Sequence, residues 1–224
     1  MNENVSLTKQ DELLIYLIAC ALHGQKPDDT LLEQINLKEL LTFSKNHSIA
    51  AMICMTLENT STFKNAELDI QKEWFNEKTK AIRRNLLMDA ERKALINEFE
   101  NYGIWYLPLK GIILKDWYPK YGMREMADND ILFDSTKREQ VKEIFLHHGY
   151  KIASYDEDNH DVYLKKPIYN FEMHVSLFNQ HTDWEIRYRD IYKKCSHTDE
   201  SNYHCYLPNE ELYIYTVSHA YKHY

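Results

Sequence analysis

The sequence predicts an α+β fold. An N-terminal helical region spans residues 1–100. A small mixed β-sheet flanked by helices follows over residues 101–207, and residues 208–224 begin a further helical region. Three observations carry this reading. Up to about residue 100, apolar side chains recur at three- and four-residue spacing, the period of a helix with one buried face. At Gly103 the period drops to two, the alternation of a strand. The chain holds only 5 Gly and 5 Pro among 224 residues, which argues against a loop-rich or disordered polypeptide, and its 17 Tyr suit strands and half-buried surfaces.

The elements follow in order. "DELLIYLIACALHG" places Leu13, Leu14, Leu17, Ile18 and Leu22 on one helical face, and Gly24 stops the helix. "DDTLLEQINLKELLTFSKNH" repeats the pattern behind a cap-like Asp-Asp-Thr. "SIAAMICMTLEN" predicts a short, mostly buried helix. "ELDIQKEWFNEKTKAIRRNLLMDAERKALINEFENYG" is a long amphipathic run that ends at Gly103. "IWYLPL" then reads as a strand and "KGIILKDWY" as a short helix opening at Gly111. After the turn "PKYGMRE" comes a strand across 128–133. "STKREQVKEIFLHHGY" is a helix whose start is marked by Asp134, Ser135 and Thr136, with Glu139 at capping-box spacing from Thr136. "YKIASY", "DVYLKK" and "YNFEMHVSLF" are successive strands. "HTDWEIRYRDIYKKC" predicts a helix, "YHCYL" a short strand, and "PNEELYIYTVSHAYKHY" a helix with Pro208 near its start. That last periodic run carries no stop signal before Tyr224, so the helix is expected to continue in a longer parent chain.

Composition narrows the function classes. Hydrophobic residues make up 44% and charged residues 28%, an ordinary globular balance. The net charge of −8 counts against a broad basic face for extended nucleic acid, although it leaves room for a local basic pocket around one nucleotide. Cys20, Cys54, Cys195 and Cys205 form no CxxC pair, which argues against a structural zinc site. The N-terminus lacks a signal-peptide pattern, and the run "LLIYLIACAL" is far short of the roughly 20 residues that span a bilayer. The expectation is a cytoplasmic protein with reduced thiols and no membrane partner. His219 and His223 lie four apart on a predicted helix, a zinc-compatible spacing. With no third ligand in view, a pair of surface histidines is the simpler reading.

The chemistry concentrates in "REMADNDILFD". Asp128 and Asp130 are two apart on a strand and so project to one side, about 6–7 Å apart at their Cα atoms. Two carboxylates at this spacing suit hard cations, and a pair of ions about 3.5–4 Å apart clamps the attacking and leaving oxygens of a phosphoryl displacement. A third carboxylate is available in "NFEMHVSLF", where Glu172, His174 and Ser176 alternate with Phe171, Met173 and Val175. Pairing of this strand with 128–133 would set Glu172 beside the aspartates. Lys110-Gly111 stands at a strand-to-helix junction, where backbone N–H groups attract phosphate and glycine permits close approach. Arg124, four residues before Asp128, is a further candidate for phosphate binding or for orienting the Asp loop. His174 is a possible accessory residue, and a satisfied strand histidine is its plainer reading. The plainer readings are Asp at a turn, a cross-strand salt bridge for Glu172, and surface roles for Lys110 and Arg124.

Leu109-Lys110-Gly111, Arg124, Asp128-Asn129-Asp130 and Glu172-Met173-His174 occur in an order that resembles the uncharacterised bacterial nucleotidyltransferases of the DNA polymerase β-like superfamily. The resemblance covers roughly residues 104–178. It implies a polymerase β-like core in which Asp128, Asp130 and Glu172 form the acidic, metal-binding set. The wider superfamily carries a Gly-Ser turn before the acidic pair; here Lys110-Gly111 occupies that region without the serine. The implied reaction moves an NMP from an NTP such as ATP to a hydroxyl acceptor, with Mg²⁺ or Mn²⁺ as cofactor and pyrophosphate as product. The acceptor is a small molecule, a protein side chain or an RNA end. Two other classes stay open: a non-catalytic binding module on a degenerate transferase fold, and a two-metal phosphohydrolase.

Overall fold

A computed structural model describes residues 7–179, 182–198 and 201–221. They form two compact units that alternate along the chain. One holds the residues up to Leu86 together with Leu114–Met126; the other holds Leu87–Ile113 and everything from Ala127 onward.

The first unit is helical. It contains α1 (Lys9–His23), α2 (Asp29–Leu32), α3 (Leu37–Asn46), α4 (Ala50–Leu57), α5 (Ser61–Lys64) and the first half of α6 (Leu68–Asn101). Several starts have a local cause. Thr8 and Asp11 form a reciprocal capping box on α1, and Asn36 caps α3 through the amides of Lys38 and Glu39. Gly24 ends α1 with φ of 64°, a left-handed conformation that glycine adopts without penalty. The core joins Leu14, Leu17, Leu32, Leu40, Ile53, Phe63 and Trp74, and the Trp74 indole N–H donates to the Leu37 carbonyl at 3.2 Å. Every residue of α4 is buried. Leu22, expected on the buried face of α1, is 45% exposed, and Cys20 and Ala21 are buried instead. Position 22 lies five residues past Leu17, about 140° around the helix, whereas Ala21 is one turn on. In the returning segment, the Asn85 side-chain amide donates to the Arg124 carbonyl at 2.9 Å and accepts from the Met126 amide at 3.3 Å.

The second unit carries a seven-stranded mixed sheet and its helices. After α6 come β1 (Tyr106–Pro108), α7 (Gly111–Leu114), β2 (Asn129–Phe133), α8 (Arg138–His147), β3 (Lys151–Ser154), β4 (His160–Lys165), β5 (Tyr169–His174), α9 (Asp183–Tyr188), β6 (Ser196–Thr198), β7 (Ser201–Tyr206) and α10 (Asn209–Tyr221). The strand order is β3-β4-β5-β2-β1-β7-β6. The β5–β2 and β1–β7 pairs are parallel and the remaining pairs antiparallel. This is the α+β class that the sequence predicts.

Both faces of β2 are buried, which explains its unbroken Ile-Leu-Phe run. Leu132 packs with Leu107, Leu109, Phe178 and Tyr215. Aromatic rings build a second layer, with Phe145 stacked on Tyr163 at 4.2 Å and meeting Phe171 edge-on at 5.4 Å. Several local readings change. The helical run expected over 28–47 breaks into α2 and α3, with Asn36 capping the second, and the helix expected over 181–195 ends at Tyr188 as α9. The turn before α8 is capped by Asp134, whose carboxylate accepts from the Thr136 amide, while Glu139 binds Lys142 and Tyr155 and closes no capping box. The sequence also gives no sign of β6, because Ser-His-Thr lacks apolar alternation; its pairing with β7 supplies the order. Among the described residues no helix is long and apolar enough to cross a membrane.

Candidate functional site

The site rests on one register. β2 and β5 run parallel with Asp130 opposite Glu172 and Leu132 opposite His174. Alternation along β2 turns Asn129 and Ile131 to one face and Asp130 and Leu132 to the other. On β5 the same rule puts Glu172 and His174 on one face. β4 completes the row, with His160 opposite His174 and Val162 opposite Glu172.

Lys110 reaches Asp130 from the other side of β2. The Leu109 amide donates to the Asp130 carbonyl at 3.0 Å, so the chain leaving β1 is tied to the strand at this residue. Lys110 itself has φ of 46°, a left-handed conformation uncommon for a residue with a Cβ. Its ammonium lies 2.7 Å from Asp130 Oδ1. His174 Nε2 lies 2.9 Å from the same oxygen. Glu172 Oε2 is 4.0 Å from His174 Nε2 and 4.0 Å from His160 Nε2, and the two imidazole rings are 5.1 Å apart. Asp130, Glu172 and His174 each present one donor atom, all within 4.8 Å of one another. Among the described residues this is the group of three such side chains placed to hold a metal ion.

The electrostatics separate the two carboxyl groups. Burial disfavours the Asp130 carboxylate, but the His174 hydrogen bond and the Lys110 charge outweigh it and hold its pKa at about 2. Glu172 moves the other way, to about 7, through burial first and then the negative charges of Asp130 and Asp128. Burial also lowers the His174 pKa, against the pull of Asp130, so the ring is neutral near pH 7. An ionised Asp130 can only accept, which places the His174 proton on Nε2.

A stability test follows from Glu172. Its carboxyl binds a proton more tightly in the folded protein than in the unfolded chain. Its contribution is therefore complete below the unfolded value and is lost as pH rises through about 7. Glu172→Gln should be nearly as stable as wild type at pH 4.5 and more stable at pH 8, by on the order of 2 kcal/mol. Urea unfolding of both proteins at the two pH values measures the difference. An equal gap at both would count against a raised Glu172 pKa.

The predicted residues are not all brought together. Asp130, Glu172, His174 and Lys110 converge. Asp128 sits half-buried one residue before β2, outside the tight group, with its charge felt at Glu172. Gly111 is buried and opens α7, which is only four residues long; the Ile112 and Ile113 amides donate back to the Leu109 and Lys110 carbonyls at 3.2 Å each. Arg124 belongs to the other compact unit. His219 is half-buried on α10, and His223 lies outside the described residues.

Three residues of this unit escape sequence reasoning. Arg92, on α6, donates through Nη1 to Asn129 Oδ1 at 2.8 Å and pairs with Asp89 at 2.5 Å. It thereby fixes the residue between the two aspartates from the opposite face. His160 joins the site only through the β4–β5 register. Tyr215, on α10, lies close enough to Asp130 for that charge to raise its phenol pKa further, after the larger effect of burial. No spacing in the sequence marks Arg92 or Tyr215.

No curated protein and no solved structure matches the chain. A family model described as an uncharacterised nucleotidyltransferase matches residues 33–224, which include every element of the site. With that match over most of its length, the chain belongs to this nucleotidyltransferase family.

Proposed function

We propose that the protein is a metal-dependent nucleotidyltransferase with a polymerase β-like core, moving an NMP from an NTP to a hydroxyl acceptor and releasing pyrophosphate. The observation that carries the reading is the Asp130–Glu172 register, which sets two carboxyl groups of opposed pKa shift beside a lysine and a histidine in a chain of this family. Asp130, Glu172 and His174 are the residues to hold an ion, with Asp128 near enough to add charge. When bound, the ion supplies Lewis-acid stabilisation of the phosphoryl oxygens.

The remaining steps belong to the side chains. The acceptor hydroxyl attacks the α-phosphorus, and the bond to the β,γ-diphosphate breaks. Glu172 takes the hydroxyl proton. Lys110 exchanges Asp130 for the departing diphosphate, whose negative charge it offsets. Gly111 lets the backbone approach those oxygens closely.

The test is incubation with each α-labelled NTP and Mg²⁺ or Mn²⁺ in the presence of small-molecule, protein and RNA acceptor pools. Labelled adduct together with free pyrophosphate is the expected result. Free phosphate or labelled NMP without adduct would point to a phosphohydrolase. Absence of nucleotide and metal binding in calorimetry, with no effect of Asp128→Ala, would point to a non-catalytic module.

A further inference from the structure

We infer that the ion held by Asp130, Glu172 and His174 is a first-row transition ion in preference to Mg²⁺, with His174 as a nitrogen donor; the inference rests on the metal-dependent reading above and deepens it. The donor set is the starting point. Three side chains bring their ligand atoms within 4.8 Å of one another, and one of the three is an imidazole. Mg²⁺ favours oxygen donors and keeps several waters. Imidazole nitrogen suits transition ions, and a mixed oxygen and nitrogen set moves selectivity toward them.

The distances fit. Asp130 Oδ1 and His174 Nε2 are 2.9 Å apart. Neighbouring donors each about 2.1 Å from a shared ion stand about 3 Å apart in octahedral geometry. Glu172 Oε2 lies 4.0 Å from the same nitrogen, within the span of two donors that face each other across one ion. His174 is buried, with a side chain 7% exposed, so its ring is held rather than free to leave. In the loaded site the neutral ring carries its proton on Nδ1 and presents the Nε2 lone pair. Lys110, which now offsets the Asp130 charge, is released as the cation arrives. If His174 only oriented Asp130, Nε2–H would stay on the carboxylate and the ion would see oxygen alone.

Manganese is the probe. The metal-stripped protein is loaded with Mn²⁺ and read by pulsed electron paramagnetic resonance for nitrogen coupling, with Mg²⁺ added in competition. The expected result is ¹⁴N modulation that disappears in His174→Gln and persists in His160→Gln. Mn²⁺ should bind at least about tenfold more tightly than Mg²⁺. Labelling the wild-type protein with ¹⁵N-histidine should change the modulation without any substitution, so the test survives if His174→Gln fails to fold. Mn²⁺ bound at a site that Glu172→Gln abolishes, but without nitrogen coupling, would overturn the nitrogen donor and leave the metal-dependent reading standing. Coupling that vanishes only in His160→Gln would overturn the choice of ring. Binding no greater than in Glu172→Gln would overturn both the inference and the reading beneath it.

Discussion

Asp130→Asn is expected to lower nucleotidyl transfer by about a thousandfold, the scale on which losing one preorganised electrostatic group acts. The substitution keeps the shape and one oxygen acceptor but removes the charge that faces Lys110 at 2.7 Å and His174 at 2.9 Å. Under the proposed function, an ion held there would lose its most acidic ligand. Pyrophosphate release measured beside a thermal melt separates chemistry from folding, because the asparagine still fills the site and the variant should melt cooperatively, lower than wild type by the lost Asp130 charge interactions. Turnover within tenfold of wild type in a folded variant would remove Asp130 from the reaction.

The second large effect concerns stability. Arg138→Ala should destabilise the protein by about 3–5 kcal/mol, the cost of leaving a buried carboxylate without its partner. Asp161 on β4 has a fully buried side chain. It accepts from Arg138 Nε at 2.8 Å and Nη2 at 2.6 Å, a two-pronged contact from α8, and from the Asp156 amide at 3.0 Å. The fork matches carboxylate geometry, so lysine is a poor substitute. Replacing both partners with apolar side chains should recover much of the loss, since no charge is then stranded. Urea denaturation of the single and double variants gives the two numbers. A single substitution costing under about 1 kcal/mol would show that water reaches Asp161.

The fold class was legible because its signal is local. Helical spacing marks most of the stretch from Lys9 to Asn101, although it does not reveal the break between α2 and α3, and the change of period at Gly103 marks the point where strands begin. Short elements without apolar alternation, such as β6, were not legible, since pairing rather than composition orders them. For the candidate site, alternation in "NFEMHVSLF" showed that Glu172 shares a face with His174. It could not show which strand lies alongside. The β2–β5 register is a long-range property, and the Asp130–Glu172 contact follows from it. The same limit explains Arg92 and His160, whose partners are 37 and 14 positions away in sequence. It also explains why Asp128, equivalent to Asp130 by spacing, stands outside the tight group: β2 starts at Asn129, so strand alternation does not govern Asp128.

The alternation of the two units along the chain bears on how the protein can be dissected. Neither unit is one continuous piece of polypeptide. A fragment beginning at Leu87 would keep the Leu114–Met126 segment but lose Asn85, which binds both Arg124 and Met126. It would also strip Met123 of Ala21, Met52 and Met55, the residues it packs with. A fragment that holds the second unit alone is therefore not reached by trimming an end. It needs an internal excision that joins Ile113 to Ala127, a junction lying between Lys110 and Asp130 in the sequence.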